Sequence, residues 1–108
     1  MNSHAVNAID ISVIAGNDAT IGFSYGVKLS TILEAKLFIN GKGYDVTSTN
    51  IHNPNAWTLS ECKGCVIVPD CWVNMMGTGL FNYQIILTIQ NTPEPYVITV
   101  QNGLFIRR

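Results

Sequence analysis

Charge is scarce in this sequence. Six Lys or Arg and seven Asp or Glu make up only 12% of 108 residues, with a net charge of −1, about half the usual charged fraction of roughly 25%. A phosphate-tracking surface needs a basic stripe. Here the cations are scattered and the only adjacent pair is Arg107-Arg108, which argues against a nucleic-acid partner. Long apolar runs are missing too, so no segment reaches the ~20 residues of a membrane-spanning helix. The start, Met1-Asn2-Ser3-His4, has neither the basic nor the apolar region of a secretory signal. Synthesis and first folding are therefore expected in a reducing cytoplasm. Cysteine is limited to Cys62, Cys65 and Cys71, and an odd, tightly clustered set is not a disulfide framework. Histidine is limited to His4 and His52.

What is present has to cover the surface in place of charge: Asn, Thr, Ser, Gln, Gly and apolar atoms, within a hydrophobic fraction of 47%. A free monomer with so little net charge is poorly protected against association. The favoured reading is a surface largely covered by neighbouring subunits; the plainer one is a neutral, Asn/Thr-rich monomer. The length is that of a single domain, 1–108, with 1–7 expected as a flexible N-terminal arm.

Period-two alternation runs through most of the chain, which is the strand signature. Ile9, Ile11 and Val13 share one face. After the Gly16-Asn17-Asp18 turn, Ala19, Ile21, Phe23 and Tyr25 share another. Leu33, Ala35, Leu37 and Ile39 make a third set, although Leu29, Ile32, Leu33 and Lys36 also fit helical spacing. Asn40-Gly41 closes this run as a hairpin does and favours a strand. Short strands are expected over 43–49, around Trp57 and Leu59, and over Cys65-Val66-Ile67-Val68, where Cys65 fits a core position. The polar segment 50–55 reads as a loop. Phe81, Tyr83, Ile85, Leu87 and Ile89 alternate with Asn82, Gln84, Thr88 and Gln90, Ile86 being the exception. Tyr96, Ile98 and Val100 close the pattern, with Asn102-Gly103 expected to bend or bulge the chain before Leu104-Phe105-Ile106. Seven to eight short strands with turns every eight to twelve residues predict an all-β, immunoglobulin-like antiparallel sandwich.

Chemistry-bearing motifs are few. Cys62-Lys63-Gly64-Cys65 has the spacing of a zinc half-site, which Cys71 and His52 are able to complete. Against a metal, the core is large enough to hold itself, and cysteine often acts as a small buried hydrophobe; idle thiols are the favoured reading, with no cofactor. The carboxylates Asp10, Asp18, Asp45, Asp70, Glu34, Glu61 and Glu94 are isolated in the sequence, whereas catalysis needs groups converging on a pocket. No enzyme and no small-molecule substrate are expected. The segment 69–79 fits neither strand nor simple turn, beyond one helical turn that Asp70 is placed to cap. It holds Trp72, Val73, Met75 and Met76, so something must cover it. Trp72 is expected to close one end of the sandwich, and at least one of Met75 and Met76 to meet a neighbouring subunit. The rival reading is a small carbohydrate- or protein-binding module using the Trp72 loop.

The order of motifs adds a resemblance. A strand–turn–strand opening over Ile9–Tyr25 is followed by Ile67-Val68-Pro69, Trp72, the segment Gly77-Thr78-Gly79-Leu80-Phe81-Asn82-Tyr83-Gln84-Ile85 and the closing Gly103-Leu104-Phe105-Ile106. Together these resemble the immunoglobulin-like domain at the N-terminus of tailed-phage baseplate and tail-fibre structural proteins, the upper-baseplate-protein type. Leu29 to Ala35 and the three cysteines depart from that pattern. The resemblance implies a virion component of tail, baseplate or neck, or a capsid decoration subunit, in a multi-copy assembly with other virion proteins. Members often open a longer chain; a sequence ending with the domain suits a small adaptor better than a receptor-binding fibre.

Overall fold

Residues 7–39 and 57–108 are described by the computed structural model. They form two stacked sheets. The first strand is interrupted, as β1 (Asn7–Ala8) and β2 (Ile11–Val13). β3 (Ala19–Ser24) follows the Gly16-Asn17-Asp18 turn, in which the Asn17 amide bonds the Ile14 carbonyl at 3.1 Å. A 3₁₀ turn at Leu29–Thr31 leads into β4 (Ile32–Ile39), then come β5 (Trp57–Ser60) and β6 (Lys63–Val68). A short helix, α1 (Asp70–Met76), precedes the two longest strands, β7 (Gly79–Ile89) and β8 (Tyr96–Arg107).

One sheet has the order β1-β8-β7-β4, with β2 also on β8; the other has the order β3-β6-β5. The two sheets share one core between them. The all-β sandwich expected from the alternation is therefore the observed fold. It is not wholly antiparallel, because β1 and β2 both run parallel to β8. Nor are all the strands short: β7 has eleven residues and β8 twelve.

The core is made by the inward parity of each strand. Ala19, Ile21, Phe23 and Tyr25 with Val66, Val68 and Trp57 face Ala35, Leu37, Ile39, Ile85, Leu87, Val100 and Phe105, all buried. Each fully buried aliphatic or aromatic chain contributes about 1.5–3 kcal/mol of transfer free energy. Phe23 meets the Trp57 ring edge-on, with centroids 5.9 Å apart, the geometry that the aromatic quadrupoles favour.

Four local expectations are corrected by long-range pairing. The helical alternative for residues 29–36 gives way to β4, but Leu33 is exposed and Ile32 buried, because a bulge between Ile32 and Glu34 shifts the parity. Ile9 is 44% exposed, as the first strand breaks at Ile9-Asp10. There Leu104 donates its amide to Asp10 Oδ1 at 3.0 Å, so a side chain replaces a ladder bond. β8 passes straight through Asn102-Gly103, and the register shift against β7 falls at Val100 instead. Cys65 pairs across the strands with the exposed Gly22 and Thr58, so it lies half-buried on the outer face, not in the core. The expected Asn40-Gly41 hairpin, the strand over 43–49 and the loop over 50–55 lie outside the described residues. So does the N-terminal arm, except for Asn7, which is already in β1.

Candidate interaction surface

Segment 69–79, irregular to the eye in sequence, is mostly α1. Pro69 is its N-cap residue and makes no side-chain cap; Asp70, expected to cap, is instead the first helical residue. The cap comes from another element: the Asp70 amide donates to Asp18 Oδ1 at 2.8 Å, from the turn before β3. A carboxylate there satisfies an orphan helical N–H and complements the helix dipole. The same turn is held at the far end of the helix, where the Gly16 amide donates to Asn74 Oδ1 at 2.9 Å. Arg107 ties α1 to β8, donating from Nε to the Val73 carbonyl at 3.2 Å and from a terminal nitrogen to Thr78 Oγ1 at 2.9 Å.

These bonds fix which residues α1 presents. Val73 is fully buried and Met76 is buried at 8% exposure, while Trp72 is half-buried and packs on the core. Met75 is 76% exposed. Of the three residues singled out for contact, Trp72 thus packs against its own domain, Met76 is core, and Met75 alone is offered outward. Ile14, 60% exposed, stands in the turn bound to the helix. Together Ile14 and Met75 leave apolar surface uncovered at this end of the sandwich.

A second surface was missed in the sequence reading. The outward parity of the β4-β7-β8 sheet carries Phe38 on β4, Leu80, Asn82, Gln84, Ile86 and Thr88 on β7, and Val97, Thr99, Asn102, Leu104 and Ile106 on β8. Leu80 and Val97 are 68% and 62% exposed. A depression of about 520 Å³ opens in this face, lined by Phe38, Asn82, Gln84, Asn102 and Leu104 among others. The signal lay in the parity: Leu80 and Ile86 sit with Asn82 and Gln84, not with the core series, and an apolar residue at a polar position is the informative exception.

The titratable groups mostly serve the backbone. Besides Asp10 and Asp18, Glu61 accepts the Leu29 amide at 3.3 Å. Glu34 pairs with Lys36 at 3.3 Å. The Tyr83 hydroxyl donates to the Ile9 carbonyl and accepts from Gln101 Nε2. Burial raises its pKa above the usual tyrosine value, the Gln101 hydrogen bond opposes this, and the Asp10 charge adds to the rise. The Tyr25 hydroxyl donates to the Ser60 carbonyl. Its pKa is also raised, first by burial, then by the charges of Glu61 and Cys62.

The cysteines do not converge. Cys62 is in the β5–β6 turn with φ of 69°, Cys65 is within β6, and Cys71 lies beyond the far end of β6 in α1. His52 is outside the described residues. Among the described residues no three His, Cys, Asp or Glu side chains group to hold a metal ion, and no helix is long and apolar enough to cross a membrane. No protein-family model matches the chain, and no curated protein matches it.

Proposed function

We propose that this chain is a structural component of a phage virion, a tail, baseplate or neck adaptor or a capsid decoration subunit, acting through protein–protein contacts. The observation that carries the reading is the pairing of scarce charge with apolar side chains left uncovered in two defined places. Ile14 and Met75 stand at the α1 end, while Leu80 and Val97 stand on the outward sheet face. Large apolar surface rimmed by polar residues marks contact sites, and methionine suits adaptable ones. The sequence resemblance to tailed-phage immunoglobulin-like domains supplies the setting.

The glycan-binding alternative required Trp72 to stand free for stacking. Its packing against the core favours the plug role instead. Quantitative mass spectrometry of gradient-purified particles tests the proposal. The chain should be present at a fixed ratio to the major structural proteins. Its recovery only from the soluble fraction, at no fixed ratio, would refute it.

A further inference from the structure

We infer that the outward face of the β4-β7-β8 sheet is a self-association surface, on which a second copy of this chain packs about a two-fold axis. The inference deepens the protein-contact reading above and rests on it.

Charge is the first argument for a second copy. The only charged side chains among the outward positions of β4, β7 and β8 are Glu34 and Lys36, which already pair with each other. Such a face selects neither an acidic nor a basic partner. It also meets its own copy without like-charge repulsion.

Polarity is the second. Apart from the Glu34–Lys36 pair, the polar groups of this face are amides and hydroxyls: Asn82, Gln84, Asn102, Thr88 and Thr99. Each offers both a donor and an acceptor, so the same group pairs with its symmetry copy. Carboxylates or ammonium groups do not.

Shape is the third. An isologous contact uses one patch on both copies, so that patch must carry both the protrusion and the recess. Here Leu80 protrudes, 68% exposed, one outward position along β7 from Asn82, which lines the depression between Phe38 and Leu104. Two copies turned face to face bring each Leu80 toward the recess of the other.

Area is the fourth. Three strand widths by the length of β7 give roughly 500 Å² per copy in projection, below the ~800 Å² per partner of a standard stable interface and in the range of a weak, reversible one.

The test is sedimentation equilibrium of the purified chain across a wide concentration series, with circular dichroism on each variant. The parent should show a reversible monomer–dimer equilibrium. Leu104→Asp should leave the dichroism of the fold and abolish the dimer. If Leu104→Asp does not fold, Gln84→Arg at an exposed position serves instead, and should weaken the dimer at least about tenfold by setting like charges together. Lys63→Glu, at the start of β6 in the other sheet, should dimerise like the parent. A parent that stays monomeric throughout overturns the inference, as does a dimer that persists unchanged in a folded face variant. A monomeric parent still found at fixed stoichiometry in particles would sink self-association while leaving the virion reading standing.

Discussion

Gln101 reaches from β8 across the sandwich, donating from Nε2 to the Gly22 carbonyl of the opposite sheet at 3.0 Å. The same nitrogen donates to the Tyr83 hydroxyl at 3.0 Å. Gln101 is fully buried, and its Oε1 has no hydrogen-bond partner. An edge strand has free carbonyls that need satisfaction, and here a side chain supplies it from the neighbouring sheet. Gln101→Ala leaves the Gly22 carbonyl unpaired beside a cavity, with the Tyr83 hydroxyl keeping only its bond to the Ile9 carbonyl, and should cost about 2–4 kcal/mol. Gln101→Met keeps the volume and removes the orphan oxygen, so it should cost less, about 1 kcal/mol. Urea unfolding with an unchanged m-value measures both; equal losses would contradict this account.

Gly103 and Gly22 should respond oppositely to alanine. A Cβ on Gly103 would overlap the Ile9 carbonyl, which is main chain of the parallel partner strand and cannot yield cheaply. Gly103→Ala should cost about 3 kcal/mol or more. A Cβ on Gly22 meets nothing within 4 Å, and Gly22→Ala should be neutral or stabilise by up to about 1 kcal/mol. Thermal melts of the two variants settle the contrast.

Both buried tyrosines give the fold an alkaline limit. Their folded pKa values lie above the ordinary tyrosine value of about 10. The unfolded chain therefore loses these protons first as pH rises. The stabilisation from the neutral hydroxyls is complete below about pH 9. It declines as the pH passes the unfolded value and is lost once the folded values are exceeded. Tyr83→Phe should flatten part of this decline while lowering stability near neutrality. Unfolding free energies from pH 7 to 11 check it, and an unchanged slope in Tyr83→Phe would argue against the assignment.

The two methionines of α1 separate core from surface. Met76→Asp places a carboxylate in the core, where Met76 is 8% exposed, and should cost several kcal/mol or prevent folding. Met75→Asp, on a residue 76% exposed, should change stability by less than about 0.5 kcal/mol. Differential scanning fluorimetry distinguishes them; a destabilised Met75→Asp would mean that this side chain is structural.

Much of the fold was legible because its signal is local. β7 shows its inward series Tyr83, Ile85, Leu87 and Ile89 without help from any other strand. What was not legible depends on distant partners. Gly103 reads as a bend in sequence, yet it lies within β8, where its missing Cβ gives room to the Ile9 carbonyl, 94 positions away in the chain. Leu33 belongs to the inward series by parity until the bulge against β7 turns it out. Asp70 looked like a cap because it opens a helix, but the capping oxygen belongs to Asp18. At the candidate surface, Trp72, Val73 and Met76 do have the three- and four-residue spacing of a helix face. Seven residues are too few for that period to stand out, and Met75 and Met76 could not be told apart. Leu80 and Leu104 escaped notice because outward positions of a sheet are expected to be polar.

The most direct measurement is hydroxyl-radical footprinting of the chain free in solution and within purified particles, read residue by residue by mass spectrometry. In the free chain Met75 should oxidise rapidly and Met76 slowly. In the particle Met75, Ile14 and Leu80 should be protected several-fold, while Lys63 at the opposite turn stays reactive or changes less. Unchanged modification of Met75, Ile14 and Leu80 in particles that contain the chain would contradict the assignment of these surfaces as its contacts.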